Sequence, residues 1–478
     1  MYRCKHHVVE KGGKPVKKLR YALLTGLVVF TAVFSAGCGN SSDKDVLVLR
    51  IANCEEYIDE GEWDEDEAIE LEDATVFGEN ALVDDFCEWY SENYGVEIEV
   101  EYSTYGTNEE LYNQMSLGNV FDLVCPSEYM IMKFMEEDRL EPLSAGFFDE
   151  EKEDNYYIKG VSPYIKDVFK SLNYADKCIY DYSAGYMWGT MGLVYNPDEL
   201  DSEDVAHWDV LTDPKYYKRV TMKDSVRDSF IVGNAIHNYP KVTSEEFLGD
   251  PDYYEKLGEV LNDTSEENVN EVEKVLSEMR KNCYSMETDS GKADMITGKV
   301  IANMQWSGDA VYTMDQAEED DYYLNYAVPE ECTNLWFDGW VMMADGIAGD
   351  SQKKAAAEAF LNFISMPENV VRNMYYIGYT STISGGDSDL VYEYVDYCYG
   401  AEDEGVEYDL SYFFGEDHVL MADEEQTERQ LFAQYPTEEV IERSAVMKCF
   451  DRDANMRIMQ MWTNIRCFDL KDIGKLFE

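Results

Sequence analysis

Five His, 11 Cys and 99 Asp plus Glu are the groups with which this chain could cleave, transfer or ligate. His6 and His7 fall in a basic leader, which leaves His207, His237 and His418 far apart. HExxH, GxSxG and GxGxxG spacings are absent. Gly298-Lys299 fails as a phosphate loop, because Ala293 stands five residues before the glycine and Val300 follows the lysine. Nine cysteines follow Cys38, an odd number, and no two have CxxC spacing. They read mostly as small buried apolar residues, with no metal site and no cofactor. Among so many carboxylates some pair will reach glycosidase separation by chance, so they do not by themselves argue for hydrolysis. The chemistry available is binding rather than catalysis, and no enzyme is expected. A formal net charge of −60 excludes nucleic acid as a partner, since phosphates would be repelled over most of the surface. It suits a cationic ligand, and plain solubility also accounts for it.

The elements that would position such a site follow from the hydrophobic pattern. At 14% aromatic the chain should fold, and 478 residues suit two lobes rather than one core. Residues 1–37 carry seven basic residues and one acid, then an apolar run over 21–36, which is the layout of a bacterial signal peptide. The run is short for a spanning helix, which needs about 20 residues. Ala36-Gly37-Cys38 resembles a lipoprotein box, with Cys38 as the lipidated residue and a polar tether over 38–45. Residues 46–52 read as a buried strand, 81–94 as a helix ended by Gly95, 96–102 as a second strand, 109–117 as a helix and 121–125 as a third strand. That alternation implies a parallel sheet with helical crossovers. Further strands are expected over 188–196, 300–306 and 340–344, and amphipathic helices over 268–281 and 353–365. Two acidic stretches, 59–79 and 385–426, read as surface insertions.

Ten short strings, in order, carry a resemblance to bacterial spermidine/putrescine-binding proteins, the extracytoplasmic receptors of polyamine ABC importers. They lie at 53–58, 102–109, 121–129, 186–193, 207–211, 224–228, 305–310, 336–338, 377–380 and 435–439. Among them are Asn53-Cys54-Glu55-Glu56-Tyr57-Ile58, Gln305-Trp306-Ser307-Gly308-Asp309-Ala310 and Trp336-Phe337-Asp338. The resemblance implies an α/β, two-lobed periplasmic-binding-protein fold of type II, with discontinuous lobes and a ligand cleft. Lobe 1 is expected over 46–190 and 333–395, and lobe 2 over 191–332 and 396–478, with crossings near Thr190, Cys332 and after Tyr379.

A polyamine is a flexible cation whose ammoniums need carboxylates and whose methylenes need flat apolar walls; aromatic faces serve both. The resemblance implies such a box. Tyr57, Tyr129, Trp306, Trp336 and Tyr379 would be its walls, Asp338, Asp228 and Glu56 its acids, and Ser127 a hydrogen-bonding hydroxyl. Three positions depart from the pattern: Cys54 where Trp is common, Ser225 where a second acid often sits, and Met447 where Gln is common. The implied protein is a monomer, lipid-anchored at the outer face of the cytoplasmic membrane or in the periplasm. It would hand a polyamine, putrescine or spermidine, to the permease and ATPase subunits of an importer. Alternatives are the same fold with another small cationic or amino-acid-like solute, a secreted carboxylate hydrolase, and a sensory lipoprotein.

Overall fold

The computed structural model describes residues 46–72, 74–401 and 404–467. The expected leader, Cys38 and the tether lie outside these residues. Strand β1 (Leu47–Cys54) runs parallel to β2 (Ile98–Tyr105), with Ile51 opposite Tyr102. Helix α1 (Leu82–Tyr94) makes the crossover, burying Leu82, Phe86 and Tyr90 on one stripe. Gly95, at φ 67°, ends it in a left-handed conformation that a side chain would disfavour. Helix α2 (Asn108–Ser116) begins at Thr107, whose side chain accepts the Glu110 amide. It leads to β3 (Leu123–Val124), on the other side of β1, and to α3 (Glu128–Glu136).

The strand-helix alternation therefore stands as the apolar pattern predicts. The second half repeats it with β4 (Ser183–Tyr195), β5 (Val220–Lys223), α4 (Val226–Val242), α5 (Glu266–Asn282), β6 (Met286–Glu287), β7 (Ala302–Trp306) and α6 (Ser307–Glu318). Then come β8 (Thr333–Met343), α7 (Ser351–Ile364) and α8 (Pro367–Ile377). The sheet order is β6-β5-β7-β4-β8-β3-β1-β2. At its centre β4 and β8 run antiparallel, and the register shifts between Asp338 and Gly339.

Both central strands pass from one core to another. Trp188 packs with Ile51, Leu123, Trp340 and Phe360 in the first core, whereas Met191 packs with Trp208, Val220, Leu276 and Trp462 in the second. At the start of β8 the change falls between Cys332, just before the strand, and Leu335. A smaller third cluster joins Val194, Ala310, Met314 and Tyr326.

The chain after Tyr379 departs from the expected partition. Leu390 through Cys398, Leu410, Phe413, Leu431 and Tyr435 all pack in the first core, and the second resumes only at Ala445. The reason is local: Phe413 stacks on Trp188 with ring centroids 5.5 Å apart, and Tyr435 meets Phe413 at 5.3 Å. Burying those rings outweighs continuity with the C-terminal helix α10 (Arg452–Arg466), which belongs to the second core.

Neither acidic stretch is a plain surface excursion. In 59–79, Trp63, Ile69 and Val76 are buried, and Trp63 packs 4.6 Å from Tyr375. In 385–426, helix α9 (Leu390–Tyr399) buries Leu390, Val391, Tyr394 and Val395, and a hairpin over Val406–Asp409 and Val419–Ala422 covers it. In 59–79 the anchors are set singly in acidic, irregular chain and leave no period to read, whereas in α9 interleaved acids and tyrosines cover the helical stripe.

Candidate ligand-binding site

The ends of β1, β3, β7 and β8 bring the aromatic and acidic candidates together. Asp338 sits at the register shift of β8, half-buried. Its Oδ2 accepts a 2.6 Å hydrogen bond from the Tyr57 hydroxyl, and its Oδ1 a 2.7 Å bond from Ser127. Tyr57 follows β1 after a turn at Glu55 and Glu56. Ser127 stands at the N-cap of α3 but makes no capping bond with its side chain. Its hydroxyl turns instead to Asp338 and accepts from Asn108 Nδ2 at 3.0 Å. A residue type that ordinarily serves a helix end is thus turned to the carboxylate.

The aromatic walls form around this acid. Tyr379 meets Tyr57 edge-on, centroids 5.1 Å apart, and Trp336 lies 5.7 Å from Tyr379. The approach is close: a Cβ on Gly308 would fall 2.4 Å from the Tyr379 ring, so the first turn of α6 needs a glycine there. Tyr129 and Trp306 are half-buried and pack against both the first and the second core, which places them between the lobes. Trp306 Nε1 donates to Asp228 Oδ1 at 3.3 Å. Asp228 is buried in the first turn of α4, and Ser225, the N-cap, accepts its backbone amide.

Burial pushes the Asp338 carboxyl above the ordinary range, against the hydrogen bonds from Tyr57 and Ser127, and the nearby Asp228 charge adds to the rise. Burial raises Asp228 likewise, against donors from Ser225 and Trp306. Glu128, 2% exposed, is pushed up to about 8 by burial; its Oε2 accepts the Phe337 amide at 3.0 Å.

Of the nine candidates, eight share this region. Glu56 does not join the buried group: it stands exposed in a left-handed turn, φ 54°. The positively charged neighbours were not read from sequence. Arg227 lies 4.6 Å from the Tyr129 ring and 3.9 Å from Phe450, and Lys223 lies 4.3 Å from the Trp306 ring. Asp309 accepts the Tyr379 hydroxyl at 3.0 Å. Arg227 and Asp309 lie inside the matching strings at 224–228 and 305–310, so adjacency to Asp228 and Trp306 was the available signal. Lys223 lies one residue outside.

The sequence profile of the bacterial extracellular solute-binding protein family matches residues 81–389. The chain belongs to that family. Among curated relatives, the spermidine/putrescine-binding periplasmic protein of Salmonella typhimurium is 24% identical over 284 residues, 59% of this chain and 70% of its own length. The putrescine-binding periplasmic protein SpuD of Pseudomonas aeruginosa is 26% identical over 57% of this chain and 68% of its length. The fold matches the spermidine/putrescine ABC transporter substrate-binding protein PotD from Streptococcus pneumoniae, with a TM-score of 0.57 at 24% identity. That alignment covers 88% of this chain and 98% of the other. The TpPotD lipoprotein of Treponema pallidum has the same TM-score at 14% identity, covering 88% and 99%. The architecture is thus the two-lobed α/β fold of periplasmic binding proteins. Members of a solute-binding family act outside the cytoplasm, and no described helix is long and apolar enough to cross a membrane.

Within this family member the three departures have distinct settings. Cys54 ends β1 beside Asp338, and burial pushes its thiol up to about 12. Ser225 is spent as the α4 cap. Met447 is packed in the second core.

Proposed function

We propose that this chain is the extracytoplasmic receptor of an ABC importer and that it captures a polyamine between its lobes. One observation carries the reading: Asp338 is a carboxylate held by two hydroxyls, without a cation, inside a cluster of Tyr57, Tyr379 and Trp336. A carboxylate withdrawn from water without a counter-charge is costly, and an ammonium removes that cost. Its methylenes would lie on the Trp336 and Trp306 faces, gaining about 0.5–2 kcal/mol per cation–aromatic contact. Asp228, beside Trp306, would take a second ammonium, and Tyr129 would close the wall between the lobes. The names of the curated relatives support the same ligand class.

The rest of the reading is transport. The protein is a monomeric receptor, not an enzyme, whose loaded state is read by permease and ATPase subunits. Lobes 46–190 with 333–441, and 191–332 with 442–467, would close about β4 and β8. Cys38 would carry the lipid that holds it at the outer face of the cytoplasmic membrane. Calorimetry of the purified protein against putrescine, spermidine, spermine, cadaverine and neutral amino acids should give saturable binding to a polyamine. Heat from an amino acid alone, or from none of these, overturns the ligand assignment. Cys38→Ala should release the protein from the membrane or leave its precursor uncleaved; unchanged retention and processing would refute the anchor.

A further inference from the structure

Lys223 is 0% exposed, yet it is a lysine at the end of strand β5. Its Nζ lies 4.3 Å from the Trp306 ring centroid, 3.4 Å from Asp309 Oδ2 and 3.6 Å from Glu287 Oε1, and donates to the Thr288 carbonyl at 2.9 Å. An indole face, two carboxylates and a carbonyl are what a captured ammonium requires. The side chain thus holds its own ammonium in a ready-made cation site within the cleft wall. We propose that Lys223 is a built-in ammonium occupying the place a ligand's third charged nitrogen would take, so that the cleft selects a diamine over a triamine.

The charges around the cleft agree with this, taking the polyamine reading above as given. Asp309 is satisfied on both oxygens: Lys223 faces Oδ2, while Lys292, at 3.4 Å, and the Tyr379 hydroxyl face Oδ1. Glu287 faces Lys223 and accepts the Gly291 amide at 2.8 Å and Asn303 Nδ2 at 3.1 Å. Arg227 is engaged with Tyr129, Phe450 and the Lys448 carbonyl. Asp338 and Asp228 hydrogen-bond only neutral donors, Tyr57 and Ser127 for one, Trp306 and Ser225 for the other, although the nearby Lys223 and Arg227 charges also act on Asp228. These two acids, neither ion-paired, leave places for two ammoniums, whereas burial pushes the neighbouring Glu128 carboxyl up to about 8. A third nitrogen would be desolvated beside Lys223, with repulsion in place of a partner.

The test compares putrescine with spermidine by calorimetry. The unaltered protein should bind putrescine at least about tenfold tighter, the equivalent of one unpaired group at 1.4 kcal/mol per decade. Lys223→Met vacates the ammonium place while leaving Asp309 and Glu287, and should raise the spermidine-to-putrescine affinity ratio at least about tenfold. The double variant Lys223→Met/Asp309→Asn removes the carboxylate as well and should lose that gain. The double variant also avoids stranding Asp309, so it guards against misfolding of the single one. Equal affinities in the unaltered protein, which need no variant to measure, overturn the proposal, as does an unchanged ratio in Lys223→Met. Failure of the unaltered protein to bind either amine overturns the polyamine reading itself, whereas polyamine binding with an unchanged ratio removes only the role of Lys223.

Discussion

Asp59 is fully buried and Asp338 half-buried beside the first core, and they are treated in opposite ways. Asp59 accepts from Gly61 N at 2.8 Å and Trp63 Nε1 at 3.1 Å, and it pairs with Arg372. The same guanidinium reaches Asp85 at 2.6 Å and the Asn80 carbonyl. One arginine thereby ties the acidic stretch 59–79 and the start of α1 to α8. Asp338 has hydroxyls only. A compensated buried carboxylate is a structural joint, while an uncompensated one keeps a place for a cation from outside.

The largest effect should come from breaking the joint. Arg372→Leu leaves Asp59 buried without its cation, which typically costs about 3–5 kcal/mol. Urea unfolding should show the loss, with little change in ligand affinity for molecules that remain folded. A loss below about 1 kcal/mol, the range of exposed pairs, would remove the contrast with Asp338.

Asp338 should behave the other way. Asp338→Ala should weaken polyamine binding by roughly 30-fold or more, from the about 2–5 kcal/mol for losing one member of a buried pair. Asp338→Asn should be milder, because the amide oxygen still accepts one of the two hydroxyls while its NH2 group faces the other. Since it removes an uncompensated charge, the unliganded Asn variant should melt no lower than the parent. Wild-type affinity in Asp338→Ala would mean that the cation sits elsewhere.

The smallest effect is on pH, and it separates ligand-free from loaded protein. Burial raises the Asp338 and Asp228 carboxyls above 3.8, the ordinary Asp value. The ligand-free fold therefore binds protons more tightly than the unfolded chain. Its stability should fall as pH rises from the ordinary Asp range through the raised values. Polyamine affinity should rise across the same window, because an ammonium needs the ionised acids. Asp309 responds differently: burial raises it, but Lys223, Lys292 and the Tyr379 hydroxyl together hold it below the ordinary range. Calorimetric titration at stepped pH should show the affinity rise, flattened in Asp338→Asn. A pH-independent affinity would show that neither acid faces the ligand's charge.

Much of the fold was legible because the strand-helix alternation is written in apolar period: β1, α1, β2, α2 and β3 each carry an apolar pattern along one stretch of chain. Asp338 and Trp306 were singled out as candidates for another reason, their place in short strings shared with a known family. The stretch 385–426 was misread because its many acids mask a buried face on α9. Lys223 could not be read as buried against Trp306, since an isolated lysine in a strand is ordinarily solvated. Glu56, which the resemblance also implies, stands outside the buried group, because the chain turns there with positive φ.

The sequence alone determined the strand and helix order, the uneven stock of chemical groups and the acids and rings from which a cation site could be built. Those are local properties, fixed by residue type and spacing. Only the tertiary structure decided which acids are already neutralised. The order β6-β5-β7 brings Glu287, Lys223 and Asp309 together from positions 287, 223 and 309, while the register shift in β8 leaves Asp338 facing hydroxyls. Charge compensation acts through space over a few ångströms, and distance along the chain does not record it.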